Sequence, residues 1–543
     1  MSNLHKLSAV ACAALAWPVF AEPTPAATAL PDVSVSGNYD NAVGQSTAAS
    51  EGTVTSRLIQ SRPTLRPAEV LEFVPGVIVS QHSGDGKANQ YYLRGFNLDH
   101  GTDFATFVDG MPINMPTHAH GQGYTDLNFV IPELIQSIHY RKGLYAAEDG
   151  DFSSAGSARL ALVNRLPKGL ASTTAGENGF VRALVANSSE LTTGHLLYAV
   201  EAQHNDGPWV NPENHRRFNG LLRYSLSDGD DQHTVTVMGY GAKWNSTDQV
   251  PQRAVDSGLI GQYGAIDASD HGETRRASLS WNWLHLLDDG EWHVNAYAIN
   301  SHLDLFSNFT YYLENPVDGD QFEQAEDRWV LGGAASRLWQ TKWFGLDMQN
   351  TLGLQWRHDR LSPVGLYAAV GGVRTSVTQV SDVSETSAGL YGQNETRWLP
   401  WLKSVAGLRV DHVDVDVDSN ISANSGTRRA WISSPKLSLI LGPWAKTEVF
   451  LNTGYGFHSN DARGMTAKVT AKTGDAIDSA VPLVRTRGSE IGLRTEAIPG
   501  LQSSVALWQL KLDSELVFVG ALIDDVVSLR KAIAKYEFTP KGA

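Results

Sequence analysis

A chain of 543 residues is too long for one ordinary domain. Its formal net charge of −15 argues against a nucleic-acid partner, and its single cysteine, Cys12, rules out a disulfide framework or a cysteine-based metal site. A hydrophobic fraction of 42% suits either a globular protein or a membrane β-barrel, because half of each barrel strand faces a wet lumen.

Residues 1–21 read as a secretory leader. Lys6 supplies the basic start, residues 7–20 are mostly apolar, and Val19-Phe20-Ala21 is a small-x-small type cleavage site before Glu22. Lipid attachment at Cys12 is disfavoured, since Ala9 rather than Leu stands three residues before it and the apolar run continues past it. No later stretch supplies the ~18 apolar residues of a transmembrane helix. Residues 22–60 are rich in Ala, Thr, Ser and Pro and are expected to be flexible. The β-prone run Leu30-Pro31-Asp32-Val33-Ser34-Val35-Ser36 breaks that texture.

Residues 61–168 predict a small α+β domain of short alternating elements. Pro67 can open a helix, because its missing N–H is an orphan at that position anyway. Val70, Leu71 and Val74 give the helix an apolar side, and Pro75-Gly76 ends it. Val77-Ile78-Val79 and Thr106-Phe107-Val108 read as strands. Asp109-Gly110 before Met111-Pro112 is a turn signal. Ile135 opens a further strand, which Gly143 closes.

Over residues 169–520, segments of roughly ten residues alternate apolar with polar between turn clusters, the pattern of an antiparallel transmembrane β-barrel. Leu196, Tyr198, Val200 and Ala202 share one face, as do Trp292, Val294, Ala296 and Ala298. Asp228-Gly229-Asp230-Asp231 and Asp288-Asp289-Gly290 are tight-turn signals. Residues 243–272 and 301–325 are expected to be long loops. A soluble β-sandwich would alternate similarly, but export and the length of the array favour the barrel. About sixteen strands are expected. In residues 521–543 the alternation stops, and Leu522, Val526, Leu529, Ile533 and Tyr536 recur at helical spacing.

Five runs in fixed order carry a resemblance. These are Pro67-Ala68-Glu69-Val70-Leu71-Glu72-Phe73-Val74-Pro75-Gly76-Val77, Tyr92-Leu93-Arg94-Gly95-Phe96, Phe107-Val108-Asp109-Gly110-Met111-Pro112, Ile135-Gln136-Ser137-Ile138-His139-Tyr140-Arg141-Lys142-Gly143, and residues 150–156. In that order they resemble the plug domain of a TonB-dependent outer-membrane receptor. Ser434-Pro435-Lys436-Leu437 and Tyr455-Gly456-Phe457-His458 extend the likeness into the barrel. One departure is Lys142, where the family commonly continues Arg-Gly-Pro.

The resemblance implies active import in the outer membrane, with no catalysis and no cofactor. The implied substrate is a ferric siderophore or another metal or metal complex. The implied partners are TonB with its ExbB–ExbD energy complex and outer-membrane lipid, the receptor being a monomer. It also implies a TonB box at Asp32, Val33, Ser34, Val35 and Ser36, which would pair by strand addition. Arg94, Gly95, Asp109, Gly110, Arg141 and Gly143 fall in plug motifs and are expected to hold the plug together and dock it to the wall. Barrels of this family close with about 22 strands. The expectation here is therefore a chain truncated or fused near Gly520, with a non-functional truncated remnant, or a passive porin or surface-binding barrel, as the alternative functions.

Two polar clusters remain. His82, Asp85, Lys87, Asn89, His100, His118 and His120 lie where a plug apex would meet substrate, and His118 and His120, two apart, are a candidate metal pair. In Asp411-His412-Val413-Asp414-Val415-Asp416-Val417-Asp418, His412, Asp414, Asp416 and Asp418 share one face, expected to look into the lumen or a loop, while the valines look toward lipid.

Overall fold

The computed structural model describes residues 38–514, apart from His82 and Thr247. The expected leader, the segment 32–36 and the helical tail 521–543 therefore lie outside the described residues. The N-terminal region begins with β1 (Tyr39–Asp40) and β2 (Glu51–Thr55). A 3-10 helix, Pro67–Phe73, follows with Pro at its first turn. Glu69 Oε2 accepts the backbone N–H groups of Leu65 and Arg66 at 3.0 and 3.3 Å. That satisfies donors a helix start leaves orphaned. Ala68, Val70, Leu71 and Phe73 are buried, and Gly76 turns the chain at φ +86°.

β3 (Val77–Ser80), β4 (Gln90–Leu93) and β5 (Phe96–Asn97) form a three-stranded sheet. β6 (Phe104–Val108) and β7 (Met111–Pro112) pair Val108 with Met111. The loop between them is thus Asp109-Gly110, both at positive φ (+47° and +79°), a two-residue turn whose twist suits a hairpin. β8 (Ile135–Lys142) and β9 (Gly156–Leu162) complete a six-stranded sheet of order β1-β2-β8-β9-β6-β7, in which β6 and β9 run parallel.

A second, fifteen-stranded sheet is an unbroken antiparallel meander in which each strand pairs with the next. It opens with β10 (Leu170–Ala175), β11 (Val181–Leu191), β12 (Gly194–Asn205), β13 (His215–Asp228) and β14 (Asp231–Asn245). It continues with β15 (His271–Leu287), β16 (Gly290–Ser307), β17 (Phe322–Trp343), β18 (Leu346–Val370) and β19 (Val373–Leu399). It ends with β20 (Leu402–Ser419), β21 (Gly426–Trp444), β22 (Thr447–Ser459), β23 (Leu483–Thr495) and β24 (Ser503–Leu512). This is one strand fewer than expected; the remaining expected segment, 516–520, lies outside the described residues. Among the described residues no ladder joins β10 to β24.

The two ends differ. Gly229-Asp230, Asp288-Asp289, Phe344-Gly345 and Ala445-Lys446 make two-residue turns at one end, while 246–270, 308–321 and 460–482 form long loops at the other. In a membrane barrel the short turns face the periplasm and the long loops face outside. Trp343, Phe344, Trp398, Trp401 and Trp444 are exposed near the short turns, as an interfacial girdle requires. The loops expected at 243–272 and 301–325 are shorter than the sequence suggested. β14 runs to Asn245 and β16 to Ser307, because cross-strand partners such as Lys243 and Glu273, 2.6 Å apart, continue the ladder where alternation has faded.

Along β12, Val200 is 49% exposed on the outer face while Leu197, Ala199 and Glu201 are buried on the inner one. The inner face packs on the N-terminal region: Leu197, Leu221, Met238 and Ile299 share one apolar cluster with Val70, Leu71, Phe104, Leu134 and Ile138.

The acidic stripe of β20 corrects an expectation. Arg409, Asp411, Val413, Val415 and Val417 are buried on the inner face, so His412, Asp414, Asp416 and Asp418 point outward. The same outer row carries the 52%-exposed Leu408 lower down. Polarity alone misassigned the faces because this strand runs from lipid into water. Above the membrane the outer row becomes charged, and the valines turn in toward the short helix Ala462–Thr466, with whose Ala462 and Met465 they share the apolar cluster.

Candidate functional site

The polar residues of the N-terminal region fall into three groups. The first is internal. Arg141 on β8 reaches Glu51 on β2 at 3.0 Å and also pairs with Glu148 and, at 3.5 Å, Asp149. Arg159 on β9 holds Asp149 at 2.6 Å. Burial opposes ionisation of Glu51, but Arg141 and His139 overcome it and hold the carboxyl below the usual range. Gly143 closes β8 at φ +102°, and a Cβ there would stand 2.6 Å from the Tyr145 ring.

The second group docks the region to the sheet. Arg94 and Gly95 form the β4–β5 turn at φ +56° and +84°. From there Arg94 reaches Glu490 on β23 at 3.2 Å and lies 4.8 Å from the Trp508 ring of β24. Asp109 accepts the Leu162 N–H at 3.0 Å through one oxygen and pairs with Arg223 of β13 through the other. Gly110 carries the hairpin tip against β16, where a Cβ would stand 2.5 Å from Asn295 Nδ2. Asp85 accepts from Asn205 at 2.7 Å, and Lys87 pairs with Asp248 of loop 246–270 at 3.2 Å, both side chains being 2% exposed. Asn89 donates to Ser80 O at 3.4 Å. Asp270 in the same loop is pushed up to about 9 by burial and then by Asp248 and Asp267.

The third group is the loop carrying His118 and His120, at the long-loop end. His118 stacks on Tyr124 with ring centres 3.9 Å apart, and His100 and His120 lie 4.8 Å apart. His118 Nδ1 accepts the His120 N–H at 3.2 Å, which fixes its proton on Nε2. His120 Nδ1 lies 2.8 Å from Gln324 Oε1 and must donate, leaving its lone pair on Nε2. Burial lowers His118 to about 4 and also pulls down His100 and His120, so all three imidazoles are neutral at neutral pH, the form that ligates metals. His82 lies outside the described residues. Among the described residues no group of three or more His, Cys, Asp and Glu side chains is arranged as a metal site.

This loop is sewn to the wall. Arg357 of β18 donates to Asn114 O at 2.7 Å, and Arg328 of β17 donates to Thr117 O. Glu326 accepts the Ala119 N–H at 2.8 Å, Gln324 donates to Ala119 O at 2.8 Å, and Arg463 donates to His118 O at 2.8 Å. Arg328 is fully buried between Glu326 (2.7 Å) and Asp359 (2.5 Å). Sequence reading missed these wall residues, although a signal existed. Glu326/Arg328, Arg357/Asp359 and Arg409/Asp411 are opposite charges two apart, which on a strand puts both on one face.

A family model described as TonB dependent receptor-like, beta-barrel, matches residues 204–530, and one described as TonB-dependent Receptor Plug Domain matches residues 44–157. Among solved structures, the unliganded ferric citrate transporter FecA superposes with a TM-score of 0.70 at 13% identity, covering 85% of this chain and 69% of that one. The ferric yersiniabactin uptake receptor FyuA from Yersinia pestis gives 0.66 at 14% identity, covering 86% and 72%. The copper transporter OprC gives 0.64 at 16%, covering 87% and 72%. At these identities the likeness is one of fold.

Proposed function

The chain belongs to the TonB-dependent receptors, and from that premise we propose that it imports a scarce metal, bare or as a chelate, across the outer membrane. TonB, energised by ExbB–ExbD, pairs with residues 32–36 as an added strand and pulls. The plug yields and the cargo passes to the periplasm. The protein works as a monomeric receptor in outer-membrane lipid, with no catalytic step and no resident cofactor.

The observation that carries this reading is how the plug is held. Among the described residues its two sheets share no ladder with the fifteen-stranded sheet, and its tips are tied by ion pairs and hydrogen bonds to Arg223, Glu490, Arg328 and Arg357. Such contacts break and re-form one by one, so a pulled plug need not unzip the wall. The same plug bars the through-passage a passive pore would need open. The neutral imidazole of His120, whose Nε2 lone pair is left over, favours a metal cargo, and His118 would join it on giving up its bond to the His120 N–H, since nitrogen donors suit iron and copper. The neighbours include a ferric citrate transporter and a copper transporter, so ferric chelates and copper are the first cargoes to try.

The test is uptake of radiolabelled ferric chelates and copper by cells carrying Val33→Pro with Val35→Pro. Loss of uptake, with heat-modifiable protein still in the outer membrane, is the expected outcome. Unchanged uptake would remove TonB from the mechanism. His118→Ala with His120→Ala should reduce uptake of one cargo selectively; equal uptake of every cargo would remove these residues from substrate contact.

A further inference from the structure

Between the plug and one side of the wall lies a cavity of about 650 Å3, within the ~300–1,000 Å3 range of pockets that hold small molecules. Its outer wall is made by inward side chains of β14–β20. Near the short turns these are Gln232, Glu291, His293 and Gln349; Gln232 and Glu291 stand close to the Gly229-Asp230 and Asp288-Asp289 turns. Midway they are Asn282, Asn295, Ser336 and Thr351. At the far end come the pairs Arg357/Asp359 and Arg409/Asp411 together with Glu385. The cavity thus reaches the periplasmic end and runs up the wall.

At the long-loop end it is closed over by Asn114 and Pro116, in the loop that Arg357 and Arg328 hold by its carbonyls, with Phe457, Ser459 and Leu483 from the outer ends of β22 and β23 beside them. Glu385, which lines that end and is 4% exposed, keeps one carboxylate oxygen buried without a hydrogen-bond partner. A buried carboxylate oxygen left so is costly unless something else solvates it.

The opposite wall is sealed. Leu144 is pressed onto three glycines: a Cβ on Gly456 or Gly488 would stand 3.3 Å from its side chain, and one on Gly454 would stand 2.9 Å from its carbonyl oxygen. On Gly492 a Cβ would stand 2.3 Å from that of Ala49. These residues lie on β22 and β23.

We infer that the resting receptor already contains most of its transport passage, a polar channel along β14–β20, shut at the outer end by the hold of Arg328 and Arg357 on residues 114–117. Entry then requires release of this one loop, not extraction of the plug. Amides and hydroxyls line the lower part, and the charges above neutralise each other two residues apart on the same strand. The cargo class that fits is a water-soluble, hydrogen-bonding solute of small-molecule size with little net-charge preference, such as a hydrophilic chelate. This deepens the import reading and rests on it for the direction of flow.

The test uses single cysteines in the full-length protein carrying Cys12→Ser, which removes the chain's own cysteine. Ser336→Cys, Thr351→Cys and Ser387→Cys line the channel; Ser434→Cys and Thr486→Cys are buried on the sealed side. The probe is a small hydrophilic methanethiosulfonate applied to purified protein in micelles. Channel cysteines should label at least about tenfold faster than those on the sealed side, whose exposure requires local opening. Equal rates on both sides overturn the channel. In intact cells, with probe added outside, Arg357→Ala should raise labelling of Ser336→Cys. Arg357→Gln, which keeps an amide donor for Asn114 O, should not. Ser336→Cys labelling from outside that is the same for all three side chains at 357 overturns the gate. None of these rates depends on TonB. A failed proline test with intact labelling contrast would therefore sink the import reading alone.

Discussion

Two sets of arginines, half-buried except for the fully buried Arg328, do different work in this receptor. Arg141 and Arg159 bind Glu51, Glu148 and Asp149, all within the plug, and tie the neighbouring strands β2, β8 and β9 to the segment that carries Glu148 and Asp149. Arg328 and Arg357 belong to the wall and reach the plug through uncharged acceptors of one loop, the Asn114 and Thr117 carbonyls and the Met115 sulfur, their carboxylate partners being wall residues too. The wall arginines are matched by Glu326 and Asp359, while the two plug arginines face three carboxylates. Releasing the loop therefore strands neither arginine set, whereas the docking pairs Arg94–Glu490, Asp109–Arg223 and Lys87–Asp248 must part before the plug can leave the wall.

The sharpest break in that contrast is Arg141→Ala. It leaves three carboxylates short of a cation and should destabilise the plug by about 3–5 kcal/mol, the scale for orphaning a buried ion pair; plug unfolding followed in denaturant would read this. Should the variant unfold like the parent, the internal set is not what holds the plug. Next comes pH. His118 titrates near 4 folded and near 6.5 unfolded, so the unfolded chain binds the extra proton between those values. Its contribution is complete above about pH 6.5 and falls by about 3 kcal/mol as the pH drops to about 4. Asp126 and Asp151, raised to about 6 by burial, act the other way between about pH 4 and 6. The reading must therefore be a difference: His118→Phe keeps the stack on Tyr124, and the gap between parent and variant stability should shrink in acid. A constant gap from pH 7 to 4 would deny that His118 is buried neutral.

Gly143→Ala, at a φ an L side chain resists and against the Tyr145 ring, should cost about 1–3 kcal/mol of plug stability, again read by denaturant. Smallest of all is Lys472→Ala. Lys472 pairs with Glu314 across two outer loops, with both side chains more than half exposed. Its loss should change stability by less than about 1 kcal/mol at physiological salt. A larger loss would mean the loops act as one cap.

The local parts of the fold were legible because they obey local rules. Pro67 and Gly76 bracket a helix, Asp109-Gly110 makes a two-residue turn, and period-two alternation marks the wall strands. The partners of the plug residues were not, because Arg94 and Glu490 are 396 positions apart and Asp109 and Arg223 are 114 apart. No local rule spans such distances. The inverted faces of β20 failed for another reason. Alternation shows that two faces differ but not which is wet, and above the membrane both can be. The charge pairs two apart on β17, β18 and β20 were readable but went unused, since a lone Arg-x-Asp looks like an ordinary solvated strand until neighbouring strands repeat it.

β19 is 27 residues long and its partner β18 is 25, whereas ~10 residues suffice to cross a bilayer in a tilted strand. The surplus stands outside the cell as a stiff, hydrogen-bonded palisade ending at Gly371-Gly372, and not as a floppy tether. Antibodies or phage that recognise the receptor from outside would meet this rim together with loop 308–321, whose Gln321 accepts the Gly372 N–H at 2.7 Å. They would read a shape that exists only in the folded sheet, so denatured protein would be a poor immunogen for raising binders to living cells. The tip at Gly371 has open space around it, so a peptide tag inserted there would meet no neighbouring side chain.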